Sequence, residues 1–286
     1  MLQRVSPFLH SFLFIILIGA CSSIVYYINR EPGVTPPPTV TPSALPALVG
    51  TSGAVPDTGW SLLQPGLERR VIQVYDDQNL PVESVHIWRL DQNHFRMDVA
   101  FEEVPKSLDT WQKETDAAMV VNGGFFSIEN ERYFPNGLTV LDGVASGRSY
   151  DGYGGMLAIH EYGSELRWLV ERPYDPREAF QAALQSFPIL VKPGGELGYP
   201  EERENHVGAR RTVIAQDRDG RILFIVTPQG HFTLHQLSVY LTESDLNLEI
   251  AVNLDGGGST GILMANPREL IAPTRPIPFV ILVYPR

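Results

Sequence analysis

A chain of 286 residues, 43% hydrophobic and 19% charged, has enough apolar material for one large folded domain together with a leader and a spacer. A net charge of −11 from 22 basic and 33 acidic residues excludes duplex nucleic acid as a partner, because phosphate backbones demand basic stripes. It does not exclude a small phosphorylated ligand, which one or two arginines can hold. The single cysteine, Cys21, rules out a disulfide-stapled scaffold and leaves stability to the core.

The N-terminus sets the expected compartment. Arg4 precedes an apolar run from Phe12 to Ile28, broken only by Gly19, Ala20, Cys21 and the Ser22–Ser23 pair. Such a run suits a signal region or a spanning helix, which needs about 20 residues. Cys21 after Ile18-Gly19-Ala20 looks like a bacterial lipobox, whereas Ile24-Val25-Tyr26-Tyr27-Ile28 before Asn29-Arg30 fits an uncleaved anchor with interfacial tyrosines. Both readings of residues 1–30 export the rest of the chain and hold it at a membrane, outside the cytoplasm. Residues 31–56 are rich in Pro, Thr, Ser, Ala and Gly and read as an extended spacer. Residues 57–286 carry no solenoid-period repeat and no second linker, so one catalytic domain is the simplest parse.

Within that domain, near-alternation of apolar and polar residues predicts strands at Arg70–Tyr75, Val85–Leu90 and Phe95–Ala100, an antiparallel meander. Further strands are expected at Ala118–Val121, Leu138–Leu141, Met156–Ile159, Arg167–Val170, Ile222–Val226, Ile250–Asn253 and Phe279–Val283. Helices are expected at Ser107–Thr115, at Pro176–Leu184 and at Thr233–Thr242, the last opened by the capping-box sequence Thr233-Leu234-His235-Gln236. The class is α+β, with mainly antiparallel or mixed sheets and a few covering helices.

The informative residues lie where strands run into glycine-rich turns. Val120-Val121-Asn122-Gly123-Gly124-Phe125-Phe126 and Ile250-Ala251-Val252-Asn253-Leu254-Asp255-Gly256-Gly257-Gly258-Ser259-Thr260 use the same device. Adjacent glycines permit close backbone approach and expose amide donors to an anion. One Asn-Gly or Asp-Gly turn alone is usually structural punctuation. Two such turns, each fed by an apolar strand, read as two walls of one cleft, with Asn122, Asn253, Asp255 and Ser259 at its rim.

Asn122-Gly123-Gly124-Phe125-Phe126, Pro135-Asn136-Gly137-Leu138, Gln185-Ser186-Phe187-Pro188, Arg211-Thr212 and Asn253-Leu254-Asp255-Gly256-Gly257-Gly258-Ser259, in this order, resemble the phosphodiester glycosidase family. The resemblance runs from about Ala117 to Leu263, with Arg210 and Thr260 departing from the usual pattern. It implies hydrolysis of a sugar 1-phosphodiester or a related envelope or exopolysaccharide glycoside; the expected partners are that substrate or an envelope polysaccharide and, through the N-terminal anchor, the membrane.

Cleavage of an anomeric C–O bond passes through an oxocarbenium-like state, and phosphate leaves without strong acid help. The best catalytic candidates are Asp255, to steer water or stabilise the cation, and Arg211, whose guanidinium matches phosphate oxygens bidentately. Alternation makes Arg210 its solvent-facing neighbour. Candidate substrate-binding residues are Asn122, Gly123, Phe125, Ser186, Thr212, Asn253, Gly256, Gly257 and Ser259. No serine-nucleophile elbow surrounds Ser186, and the His231–His235 pair lacks the glutamate of a zincin motif. No cofactor is expected, with a divalent cation on Asp255 left open. Two alternatives stand beside the glycosidase: a non-catalytic carbohydrate-binding envelope protein, and a phosphodiesterase that breaks the P–O bond.

Overall fold

A computed structural model describes residues 56–286; the expected leader with Cys21, and the spacer up to residue 55, lie outside the described residues. Among these residues no helix is long and apolar enough to cross a membrane. In chain order the elements are β1 (Ser61–Gln64), β2 (Leu67–Tyr75), β3 (Pro81–Leu90), β4 (Phe95–Lys106), α1 (Leu108–Thr115), β5 (Met119–Asn122), β6 (Phe126–Glu129), β7 (Arg132–Pro135), β8 (Thr139–Leu141) and β9 (Val144–Ser146). There follow β10 (Gly155–His160), β11 (Gly163–Trp168), β12 (Ala182–Ser186), β13 (Ile189–Lys192), β14 (Glu196–Leu197), β15 (Arg211–Asp217), β16 (Ile222–Thr227), α2 (Leu234–Glu243), β17 (Leu248–Asn253), β18 (Ile262–Met264), β19 (Glu269–Ile271) and β20 (Ile277–Pro285).

An eight-stranded sheet has the order β1-β2-β3-β16-β15-β17-β13-β14. Two five-stranded sheets, β11-β10-β12-β8-β9 and β19-β18-β5-β20-β4, lie against it, with β6-β7 as a separate hairpin. The named pairings are antiparallel. Alternation sorts the side chains into layers. Trp88, Ile214, Phe224 and Val252 of the large sheet meet Val121, Leu157, Leu184 and Phe279 of the other two in one central core. The opposite residues of the large sheet, among them Val213, Ile225 and Ala251, pack under α2 through Leu237 and Leu241. Helix α1 covers the outer face of β5 and β20 through Leu108 and Trp111.

Three sequence expectations change. The domain is more β-rich than α+β implies: among the described residues there are two α-helices, capped by Ser107 and by the Thr233–Gln236 box. The expected helix at Pro176–Leu184 is instead a turn and a strand. Asp175 accepts from the Arg177 amide at 3.0 Å, and Ala182–Ser186 is wholly buried between β10 and β8. Ladder bonds and two-sided burial override the helix propensity of Ala, Leu and Gln there. The strand expected at Arg167–Val170 stops at Trp168, whose carbonyl accepts from the amides of Glu171 and Arg172.

Candidate active site

Strand β5 delivers Asn122 to its C-terminal end, fully buried. Its Oδ1 accepts from Thr212 Oγ1 at 2.7 Å and from the Gly261 amide at 3.0 Å, while Nδ2 donates to the Asp255 carbonyl at 2.7 Å. One side chain therefore ties β5 to β15 and to the turn after β17. The Asp255 amide donates to the Gly123 carbonyl at 3.1 Å, so the two glycine turns meet. Asn122 and Thr212, both expected to contact substrate, are placed as this internal staple.

The glycines serve close packing. A Cβ at Gly123 would come 3.1 Å from the Phe279 carbonyl oxygen, and one at Gly124 equally near the Gln185 carbonyl oxygen. Beside them runs Ser186-Phe187-Pro188, with a cis Phe187–Pro188 peptide. Asn253 bonds to this segment through Nδ2 to the Phe187 carbonyl and through its amide to the Pro188 carbonyl, both at 3.0 Å. Several buried polar atoms of these segments have no protein partner: Ser186 Oγ and Asn253 Oδ1 beside the cis peptide, Thr260 Oγ1 after the Asp255 turn, and Arg210 Nε and Arg211 Nε at the start of β15. Unsatisfied groups of this kind are costly, and a native fold keeps them where a ligand or water completes them.

Asp255 sits on the Asp-Gly-Gly-Gly turn, with Oδ1 accepting from the Gly256 amide at 2.9 Å. Gly257 has φ +57°, which favours glycine, and its amide donates to the Arg210 carbonyl at 2.8 Å. A Cβ at Gly256 would approach that same carbonyl oxygen to 2.8 Å. Burial pushes the Asp255 carboxyl above the ordinary carboxylate range, opposed by a hydrogen bond with Ser259, the charge of Arg275 and the Gly256 amide. Ser259 Oγ in turn accepts from Arg275 Nε at 3.2 Å. A guanidinium, a hydroxyl and a carboxylate thus form one chain, in which the Ser259 proton is left for Asp255.

Arg211 lies behind the Asp255 turn, with a Cβ at Gly256 3.9 Å from its Cδ, and on the opposite face of β15 from Thr212. Along β15, Val213 and Ala215 face α2 while Thr212 and Ile214 face the central layers, and Arg211 shares the parity of Val213. Its Nη2 donates to the Val207 carbonyl at 3.1 Å, and burial lowers its pKa against the charges of Glu204 and Tyr199. Burial alone would raise Glu204, but hydrogen bonds from Thr233 and from the amides of His235, Asn205 and His206 hold it below its usual range. Arg210, expected to face solvent, is half-buried, with Nη2 donating to the carbonyls of Thr260 and Ala272. The ladder starts only at Arg211, so strand alternation does not govern Arg210, which is free to reach across to the next turn.

Two further residues shape the site. Arg275 was hidden because a Thr-Arg-Pro run reads only as a loop, and β19 and β20 must fold before it reaches Ser259. Glu83, fully buried in β3, accepts from the amides of Gln229, Gly230 and His231 at 2.9 to 3.0 Å and fixes the loop before α2. That loop backs Gly208, where a Cβ would meet the Gly230 carbonyl oxygen at 2.6 Å.

Aromatic rings flank the turns. Phe125 packs on Phe187 at 4.6 Å between centroids, and Phe187 meets Tyr150 and Tyr153 edge-on at 5.2 and 5.7 Å. Phe126 turns the other way, towards Tyr133 and under the Arg275 guanidinium. Among the described residues no three His, Cys, Asp or Glu side chains group to hold a metal ion. His235 Nδ1 lies 2.9 Å from the Tyr199 carbonyl oxygen, and His231 precedes the helix cap and packs on Phe232.

Layered antiparallel sheets with two covering helices define a single β-rich domain, in which Arg210 and Arg275 both reach the turn that carries Asp255 and Ser259. The chain belongs to the phosphodiester glycosidase family, whose profile matches residues 115–284. Its fold is similar to the zebrafish N-acetylglucosamine-1-phosphodiester alpha-N-acetylglucosaminidase catalytic domain auto-inhibited by its pro-peptide, at 20% identity and a TM-score of 0.59, covering 78% of this chain and 85% of that one. It is also similar to a hypothetical protein from Synechocystis, at 12% identity and a TM-score of 0.56, covering 78% and 63%. Comparison with curated proteins finds no match. Family membership supports a glycosidase-type, hydrolytic activity.

Proposed function

We propose that the protein hydrolyses a sugar 1-phosphodiester at the anomeric C–O bond, outside the cytoplasm. The observation that carries this reading is Asp255, the carboxylate of the family motif, held on the turn that Asn122 staples to β5 and linked through Ser259 to a cation. In the reaction the anomeric C–O bond breaks and its electron pair leaves with the phosphate. Water adds to the anomeric carbon, giving the free sugar and a phosphate monoester. Asp255 in its ionised form stabilises the developing positive charge and takes the proton of the attacking water. Phe125, with Phe187 and the two tyrosines, offers apolar ring surface to the sugar, while Ser186 and Asn253 supply the unpaired oxygens beside it. Arg211 is assigned the wall behind the Asp255 turn, since a Cβ at Gly256 would lie 3.9 Å from its Cδ.

The test is a screen of sugar 1-phosphodiesters with products resolved. Free sugar plus phosphate monoester is the expected outcome. Sugar phosphate as the product would mean P–O cleavage, and binding without turnover would mean a carbohydrate-binding protein. The same proposal places the protein on membranes through residues 1–30, with the domain facing outward. Cys21→Ser would release a lipoprotein from its acyl anchor and leave a spanning helix embedded.

A further inference from the structure

The site holds three arginines, and their hydrogen-bonding state separates them. Arg210 spends Nη2 on two backbone carbonyls. Arg211 spends Nη2 on the Val207 carbonyl and sits beside Glu204 and Tyr199, on the helix side of the large sheet. Arg275 is exposed and is anchored by Nε alone, to Ser259 Oγ at 3.2 Å. Its stem passes over Gly258, where a Cβ would come 3.3 Å from Nε, and its guanidinium carbon lies 5.6 Å from the Phe126 ring centroid. Arg210 and Arg211 also lack a carboxylate partner, so exposure and the bond to Ser259 are what set Arg275 apart; among the described residues no carboxylate or carbonyl takes its terminal nitrogens. Its two terminal nitrogens are therefore uncommitted, and they are fixed at one hydroxyl's distance from Asp255.

We infer that Arg275, rather than Arg211, binds the departing phosphate, its terminal nitrogens taking two phosphate oxygens while Nε stays on Ser259. The inference rests on the glycosidase reading above and specifies which residue sets the substrate's charged half. Its chemistry follows from the charge change. A phosphodiester carries one negative charge, and after C–O cleavage the electron pair makes the monoester a dianion before it takes up a proton. A guanidinium at those oxygens is worth more in the transition state than in the ground state, so it acts on kcat more than on KM. The Arg275–Ser259–Asp255 chain also holds the cation that receives the phosphate, from the β19–β20 segment, one hydroxyl away from the carboxylate that faces the sugar, which fixes their spacing.

The experiment compares the full-length protein with Arg275→Gln and Arg275→Lys. Inorganic phosphate is titrated calorimetrically, and turnover of a sugar 1-phosphodiester is measured with phosphate or the free sugar as inhibitor. Arg275→Gln should keep the wild-type melting temperature, lose about 10² to 10³ in kcat, the scale of one lost charge-stabilising donor, and bind phosphate at least about tenfold more weakly. Inhibition by the free sugar should be unchanged, which a merely structural role would not predict. Arg275→Lys should recover only part of phosphate binding, because an ammonium lacks the fork. Equal phosphate affinity in wild type and Arg275→Gln overturns the inference even where turnover is normal. Absence of wild-type turnover with Arg275-dependent phosphate binding overturns the glycosidase reading and leaves the phosphate site standing.

Discussion

Asp255 combines opposing influences in one side chain: burial raises its pKa, while Ser259, Arg275 and the Gly256 amide pull it down. If it works ionised, kcat/KM should rise with pH along a limb lying above the ordinary carboxylate range, and removal of the Arg275 charge should move that limb higher still. Asp255→Asn keeps the shape and the acceptor for the Gly256 amide, yet lacks the charge. Turnover should fall by about 10² to 10⁴ with the melting temperature preserved, the range for a positioned acid or base. Normal turnover in that variant would remove Asp255 from the chemistry, and joint loss of turnover and melting temperature would make it a turn-forming residue. At this scale the sequence pointed to the two glycine turns as neighbours, which the structure joins through the Asp255 amide on the Gly123 carbonyl. It was silent on Arg275, whose value comes from a contact made only after the chain has returned through β19 and β20, and on the staple between Asn122 and Thr212.

Elements were legible where one face is buried and the other wet. β2, β3 and β4 alternate and were found, and α2 begins at the capping box visible in Thr233 and Gln236. β12 is buried on both faces like β16 and β20, but where those carry Val and Ile it offers only Ala-Ala-Leu-Gln, helix-favouring residues that hid the strand. Glu83 shows a further limit, since an acid in a strand gives no hint that it will be buried against three amides. Glu83→Ala should leave those amides without partners and cost about 2 to 4 kcal/mol, the range for several buried unsatisfied donors. Urea unfolding measures it. Because the Gln229–His231 loop supports Gly208 and through it the arginine segment, the same variant should lower turnover in native buffer. A Glu83→Ala protein with wild-type stability would show that the loop finds its position without the carboxylate.

Among the described residues, the large sheet and the β19-β18-β5-β20-β4 sheet are joined by apolar packing, by the Asn122–Thr212 bond and by a second polar stitch. Arg69 of β2 bonds Glu269 of β19, with Nε 3.0 Å from Oε2, and lies over Trp88 at 3.9 Å. His86 completes the stitch: its Nδ1 is 2.6 Å from Arg69 Nη2 and its Nε2 is 2.9 Å from Ser84 Oγ. A guanidinium only donates, so Nδ1 accepts, Nε2 carries the proton and the ring is neutral. Protonation would set an N–H against that donor. Burial first, and then the charge of Arg69, lower the His86 pKa from 6.5 to about 4, with Glu269 opposing. Between those two values the unfolded chain binds a proton that the folded chain refuses. Stability therefore falls as pH drops from 6.5 towards about 4, with a limiting slope of about 1.4 kcal/mol per pH unit. The carboxylates of Asp57, Glu165 and Glu178 are held low by Arg70 and Arg167, so their contribution is lost only at still lower pH. Asp98 and Asp255, held high, slope the opposite way, losing stability as pH rises through their folded values. All five are common to wild type and a His86 variant and cancel in the difference. His86→Gln keeps an acceptor for Arg69 and has no proton to gain, so its unfolding free energy should decline less than that of wild type between pH 6.5 and pH 4.5. Denaturant unfolding at a series of pH values, taken on both proteins, tests this, and parallel curves through that window would show that His86 is not the group that refuses the proton.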